Sequence, residues 1–378
     1  MQTSRALQGL RCFACDTPHA LDRLQTVCTA CGLPIRVDYA LTPDTLPRAS
    51  LRGRIASLWR YREVLPLAAG EVSLGEGMTP LVQLDERTWI KDEAQNPTGS
   101  FKARGMTVAV SMARALGAKS LMAPSAGNAA GALAAYGAAG KLSVLVAMPD
   151  DTPRIFVDEC RHYGADVKLV PGTIADAGKW LREHGASLGF GDAFDVSTLK
   201  EPYRVEGKKT MAYELHEQLD GELPDVIVYP TGGGTGLVGM WKAFGEMRAL
   251  GWPMPRVPRL VSVQAVGCQP VVKAFVAGAT KTEAFVNPMT RAWGLRVPSP
   301  IGGFLCLRAI RETHGTAVAV DEASIAPAAA WLASATGIDV CPEGGAAWAA
   351  VEELRASGWI TPDARVVVFN TGTGIKYR

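Results

Sequence analysis

Four cysteines stand within the first 31 residues as two Cys-x-x-Cys pairs, Cys12 with Cys15 and Cys28 with Cys31, separated by twelve residues. Each pair can turn two thiolates toward one ion, and two pairs complete a tetrahedron. This is the spacing of a zinc ribbon. Gly32 after the second pair suits the tight knuckle turn. Four thiolates leave no open coordination position, so the zinc expected here is structural, not catalytic. The competing reading is a ribbon-like remnant that packs without metal.

Four further segments place small and hydrogen-bonding residues where a strand runs into a helix or the chain turns. Thr231-Gly232-Gly233-Gly234-Thr235-Gly236 follows the apolar run 226–229 and opens a helix. Glycines there let the backbone turn tightly and aim several N–H groups at one anion, and the helix dipole adds to the attraction. A phosphate suits this loop; the bland alternative is a flexible connector. No Gly-Lys-Ser/Thr follows, so it is not a Walker A loop, and no ribose-binding acid is clearly placed for G-x-G-x-x-G. Asn96-Pro97-Thr98-Gly99-Ser100-Phe101-Lys102-Ala103-Arg104-Gly105 puts a lysine at a helix start, where the dipole favours anions over ammonium. Lys102 therefore either faces solvent or is held near a ligand, where a desolvated lysine can form a Schiff base with an aldehyde. Pro124-Ser125-Ala126-Gly127-Asn128 offers donors for a carboxylate, or a helix cap by Ser125 or Asn128. Asn370-Thr371-Gly372-Thr373-Gly374 ends the last apolar run and could be a plain C-terminal turn.

The elements that must position these segments are legible as an alternation. Apolar runs at 120–123, 142–148, 167–170, 226–229, 260–265 and 366–370 alternate with helix candidates. These lie at 104–117, 127–140, 153–164, 173–185, 205–220, 235–250, 324–336 and 344–357. Such an order argues for parallel sheets covered by helices on both faces, with ligands at the carboxyl ends of the strands. Residues 35–39 form a short strand-like run, and 41–75 read as a connector with a helix-like piece at 56–65. The chain has 378 residues, 48% hydrophobic and 20% charged. That is globular composition and about two domains of length. Lys+Arg (39) nearly balances Asp+Glu (37), so no global field points to nucleic acid or a membrane surface. No apolar stretch is long enough to span a bilayer, and the N-terminus lacks the apolar core of a signal peptide, which makes a cytoplasmic location the expectation.

Together the four segments resemble those of the fold type II enzymes that use pyridoxal 5'-phosphate (PLP), the tryptophan synthase β-like fold, and within them the threonine synthase family. The similarity runs from about residue 73 to the end and includes Arg204-Val205-Glu206-Gly207-Lys208-Lys209-Thr210. It implies an α/β fold of two doubly wound domains behind the ribbon at 1–40: a large PLP-binding domain from 41–104 plus 206–378, and a small one at 105–205. The resemblance implies Lys102 as the Schiff-base lysine. It implies Gly232, Gly233, Gly234, Thr235 and Gly236 as the cofactor-phosphate loop, Asn128 beside the cofactor's 3'-oxygen, and the Thr371 hydroxyl at the pyridine nitrogen. Thr98, Ser100, Ser125, Ala126, Gly127, Asn128 and Arg204 are implied to bind substrate. The implied reaction is O-phospho-L-homoserine plus water to L-threonine plus phosphate, by γ-elimination and addition of water at Cβ. A homodimer is implied as well, with a small amino acid as the only other partner.

Some positions depart from the family pattern. Ala103 follows the lysine where threonine synthases usually carry Asp, and the loop Gly232-Gly233-Gly234 lacks their Asn. Ala126 replaces a Thr, and Ser197-Thr198-Leu199-Lys200-Glu201 stands where Asn and Ser often serve the substrate phosphate. Ala103-Arg104-Gly105 and Gly232-Gly233-Gly234 look dehydratase-like, and a threonine or serine ammonia-lyase, or a β-replacement enzyme, stays as an alternative. A non-catalytic PLP-fold homologue is the alternative of a different class. The five histidines (His19, His162, His184, His216, His314) do not cluster with acids or serines and read as surface or capping residues. Cys160, Cys268, Cys306 and Cys341 sit among apolar neighbours and read as core thiols.

Overall fold

The structure, a computed structural model, describes residues 2–378. A three-stranded antiparallel ribbon comes first, with β1 (Leu7–Cys12), β2 (Pro18–His19) and β3 (Ile35–Tyr39) in the order β2-β1-β3. The antiparallel pair β4 (Leu81–Asp85) and β5 (Thr88–Asp92) follows, then α1 (Lys102–Ala115). Next come β6 (Ser120–Pro124), α2 (Asn128–Gly140), β7 (Ser143–Pro149), α3 (Arg154–His162), β8 (Asp166–Val170), α4 (Ile174–His184) and β9 (Phe194–Asp195). The remaining elements are α5 (Tyr203–Gln218), β10 (Val226–Pro230), α6 (Thr235–Ala249), β11 (Arg259–Ala265), α7 (Pro270–Val276), α8 (Gly303–Glu312), β12 (Thr316–Val320), α9 (Glu322–Thr336), α10 (Pro342–Ala356) and β13 (Val366–Asn370).

The chain divides into two compact units. The first holds the residues up to Gly77, Asn96–Thr98 and Lys102–Lys208; the second holds Met78–Gln95, Gly99–Phe101 and Lys209–Arg378. In the first unit a parallel sheet runs β8-β7-β6-β9. In the second a six-stranded sheet runs β12-β11-β10-β13-β5-β4, parallel except for the β4 edge. The central strands β10 and β13 are buried at every residue, as strands covered on both faces must be. Val226, Val228, Val366 and Val368 pack against Ala346, Ala350, Val351 and Leu354 of α10. Burying each such valine or leucine contributes about 1.5–3 kcal/mol.

Residues 41–77, expected with the larger unit, group with the first one. The reason is a shared core: Leu58, Trp59, Leu65 and Leu67 bury against Val108, Ala109 and Met112 of α1, together with Leu10, Ile35 and Val37 of the ribbon. The helix-like stretch at 56–65 is a 3-10 turn at Leu58–Val64. His216 departs from the expectation of a surface or capping residue. It is fully buried, within 2.8 Å of the Pro253 carbonyl through Nε2 and against the Trp252 ring. The four core thiols are buried as expected. Among the described residues, no helix is long and apolar enough to cross a membrane.

Candidate active site and metal centre

The four ribbon cysteines converge, with their Sγ atoms all within 4.8 Å of one another. Cys12–Cys31, Cys15–Cys31 and Cys15–Cys28 are 3.4, 3.5 and 3.6 Å apart. A tetrahedral zinc with Zn–S bonds of about 2.3 Å needs sulfurs about 3.8 Å apart, so the cluster fits. Both knuckles turn backbone N–H groups onto sulfur, Ala14 onto Cys12 at 3.3 Å and Ala30 onto Cys28 at 3.4 Å. Hydrogen bonding by Thr17 lowers the Cys15 thiol to about 6. At Cys31 a hydrogen bond at the Leu33 backbone is outweighed by desolvation and the other three cysteines, which push that thiol up to about 12, so without a cation the cluster shares its protons unevenly. Cys12 and Cys28 are buried, and Cys15 and Cys31 are exposed.

The first unit carries Thr98, Lys102, Ser125, Ala126, Gly127, Asn128 and Arg204. Lys102 is the first residue of α1, after a turn in which Thr98 takes φ 61°. It is half-buried at the head of a helix whose residues 103–113 are all buried, which does not match a lysine free on a solvated face. Ser125-Ala126-Gly127 links β6 to α2, and Ser125 donates its N–H to the Ala147 carbonyl. The helix begins without a side-chain cap, so neither Ser125 nor Asn128 plays the capping part. Its first-turn N–H groups, at the positive end of the dipole, suit a carboxylate.

Arg204 is the first unit's most unusual side chain. It is 1% exposed. Nη1 donates to the Val196 carbonyl at 2.8 Å, while Nε and Nη2 have no hydrogen-bond partner among the described residues. Its backbone N–H donates to Glu201, which burial raises to about 7. Burial also lowers the Arg204 guanidinium below its usual range. A buried cation with two idle donor nitrogens is costly unless an anion arrives to meet it.

The second unit carries Ser100, the glycine loop and Thr371. The loop Gly232-Gly233-Gly234 joins β10 to α6, which again lacks a side-chain cap. Gly234 has φ +81°, and a Cβ there would lie 2.1 Å from the Cys306 Sγ, so only glycine fits. The loop therefore offers backbone donors at the N-terminus of a 15-residue helix, the arrangement a phosphate prefers. Thr371 leaves the central strand β13. Its carbonyl accepts the Phe101 N–H, and Ser100 bridges to Gly372. Its hydroxyl lies 3.9 Å from the Cys341 thiol, which burial pushes up and so keeps neutral. Within the second unit, an uncapped helix end behind glycines suits a phosphate, and the Thr371 hydroxyl beside a neutral thiol suits an uncharged acceptor.

Two residues of interest escaped the sequence reading. Glu201 receives the N–H groups of Tyr203 and Arg204. An acid two residues ahead of α5 was the available signal. Glu343 in the first turn of α10 accepts from the Gly294 N–H at 2.6 Å and the Tyr377 hydroxyl at 3.1 Å, and keeps Oε2 buried without a partner among the described residues. Nothing in its local sequence marks it.

Known proteins share this chain's family and fold. The family described as "Pyridoxal-phosphate dependent enzyme" matches residues 72–372. A threonine synthase of Methanosarcina acetivorans is 34% identical, covering 97% of this chain and 92% of that protein. One of Methanocaldococcus jannaschii is 33% identical with the same coverage. Among solved structures, the processed threonine deaminase isoform 2 of Solanum lycopersicum superposes with a TM-score of 0.65 at 22% identity, over 78% of this chain and 83% of that one. At that identity the likeness speaks for the fold alone. The chain thus belongs to the pyridoxal-phosphate dependent enzymes and, within them, to the threonine synthase family.

Proposed function

We propose that the protein converts O-phospho-L-homoserine and water to L-threonine and phosphate. The observation that carries this reading is Arg204: a buried guanidinium with idle Nε and Nη2 is a receptor for an anion. A phosphorylated substrate supplies an anion in addition to its α-carboxylate, whereas threonine or serine, the substrates of the dehydratase alternative, carry the carboxylate alone, which Ser125 to Asn128 would take.

PLP, when bound, supplies the electron sink for the reaction. The chain's residues do the rest. Lys102 would hold the cofactor through its aldehyde carbon and would be the group that carries protons at the reacting carbons of the substrate. The Gly232–Gly236 loop binds the cofactor phosphate through backbone N–H groups, and Thr371 presents its hydroxyl to the ring nitrogen. Ser125 to Asn128 hold the substrate carboxylate at the head of α2, with Thr98 and Ser100 beside the substrate. The Cys12, Cys15, Cys28 and Cys31 cluster holds a structural zinc, and the enzyme works as a homodimer.

A substrate panel tests the reading. Release of phosphate equimolar with threonine from O-phospho-L-homoserine is expected. Formation of 2-oxobutyrate from threonine, with no phosphate released from O-phospho-L-homoserine, overturns it. Replacing Lys102 with Ala should abolish borohydride trapping of the cofactor on the protein; persistent trapping would contradict its role.

A further inference from the structure

The ribbon reaches the helix that carries Arg204 by two independent routes. Tyr39, the last residue of β3, donates its hydroxyl to Glu206 Oε2 at 2.8 Å. Glu206 is fully buried in the first turn of α5, two residues from Arg204. Separately, the buried ligand cysteines Cys12 and Cys28 share a core with Leu10, Ile35 and Val37, with Val108, Ala109 and Met112 of α1, and with Tyr203. The cysteine cluster is thus built into the same packing that seats the residue preceding Arg204.

The same helix turn also packs closely against α1. A Cβ on Gly207 would come within 1.7 Å of the Arg104 carbonyl, so α5 meets α1 backbone to backbone. A Cβ on Gly105 would be 3.1 Å from the Arg204 carbonyl. The helix turn that carries Arg204 is therefore fixed by α1 through Gly105 and Gly207 and tied to the ribbon through Glu206, besides Arg204's own bonds to Val196 and Glu201. Interiors packed this closely transmit small shifts instead of absorbing them.

We infer that the ribbon is a strut for the anion-binding arginine: Tyr39 is a positioning residue that holds the first turn of α5 through Glu206, and metal in the cysteine cluster sets the affinity for the substrate's anionic group. This rests on the reading of Arg204 as the phosphate receptor. The ribbon takes no part in the chemistry, so loosening it should weaken binding and leave the chemical step alone.

The test compares the PLP-loaded wild type, the Tyr39→Phe variant and wild type stripped of metal by chelation. Zinc content, cofactor absorbance, amide hydrogen exchange over residues 203–208, and kcat and KM for O-phospho-L-homoserine are measured on each. Tyr39→Phe should keep its zinc and cofactor. Its 203–208 amides should exchange about tenfold faster and KM should rise about five- to tenfold, the size of one ordinary net hydrogen bond, because the loss at Glu206 reaches Arg204 only in part, with kcat within about twofold. The stripped protein should show both effects more strongly and recover on adding zinc alone. Wild-type exchange and KM in zinc-loaded Tyr39→Phe overturn the inference, as does faster exchange with unchanged KM. If the wild type does not turn over O-phospho-L-homoserine, the substrate reading fails, while the exchange at 203–208 still decides the strut.

Discussion

Arg204 places a full charge where it is 1% exposed and leaves two nitrogens without acceptors among the described residues. A side chain kept for stability would not look like this, because one carbonyl contact and a carboxyl that burial raises to about 7 repay little of the cost of burying the guanidinium. Arg204→Met should therefore unfold at the same or a higher denaturant midpoint than wild type. Its kcat/KM for O-phospho-L-homoserine should fall about a hundredfold or more, the loss of a bidentate charged contact. A variant that loses stability in step with activity would show the arginine to be structural. Its neighbour Glu201 gives a pH signature. Burial raises its carboxyl from 4.5 to about 7, with Arg204 and the two N–H groups opposing. The folded protein then holds this proton more tightly than the unfolded chain does. The stability it contributes is complete below about pH 4.5 and is lost as the pH climbs to about 7. Glu201→Gln keeps an acceptor for the Tyr203 and Arg204 amides and should flatten that slope. Urea midpoints at pH 5 and pH 8 that fall as steeply in the variant as in wild type would refute it. At this scale the sequence displayed Arg204 only by analogy. Its type and position were legible, but the idle nitrogens that give it meaning depend on Val196, Glu201 and α1, which local sequence does not bring together.

Strands were legible where the sequence shows an apolar run, whatever their burial: β8 is only partly buried and was marked, while the largely buried β5 carries Thr88, Lys91 and Asp92 and was not. The continuous apolar runs proved to be β6, β7, β8, β10, β11 and β13, and all eight helix candidates exist within a few residues of their expected ends. The strands β4, β5, β9 and β12 were not marked by an apolar run, although β5 lies inside its sheet between β13 and β4. β12 reads Thr-Ala-Val-Ala-Val and is half-buried, and β4 is partly exposed throughout, so neither shows the hydrophobic run that marks a covered strand. The helices α7 and α8 were missed too. α7 spans only seven residues, and α8 follows the Pro298-Ser299-Pro300-Ile301-Gly302 stretch that reads as loop. The junction of β10 and α6 was the element most fully declared, because its glycines answer to backbone geometry. Gly234→Ala forces an L-residue to φ +81° against Cys306. It should loosen the phosphate loop and weaken PLP binding about tenfold or more by equilibrium dialysis. Adding Cys306→Ala removes the steric clash but not the dihedral strain, so it should restore only part of the affinity. Full restoration would mean that Gly234 is kept for space alone.

At the scale of the molecule, the ribbon could be an appendage or a part of the first unit. The packing decides for the second. The thiols of Cys12 and Cys28 lie in one core with residues of α1 and α5, and residues 41–77 join the same core instead of linking two bodies. An appendage would lose its metal and fold separately, leaving the rest of the first unit unmoved. A built-in ribbon couples metal binding to the folding of the unit that contains it, because a metal that binds only the folded cluster stabilises that fold by mass action. Protein purified without chelator should contain about one zinc per chain, the count that a single four-thiolate site allows. Stripping it should lower the melting temperature of the PLP-loaded enzyme by several degrees, and Cys28→Ser should do the same without chelator. Hydrogen exchange should then show α1 residues Val108–Met112 opening together with β1 and β3, while β10, β11 and β13 of the second unit stay protected. Exchange confined to residues 2–40 after zinc removal would make the ribbon an independent module. Well under one zinc per chain, with α1 fully protected, would mean that the cluster packs without metal.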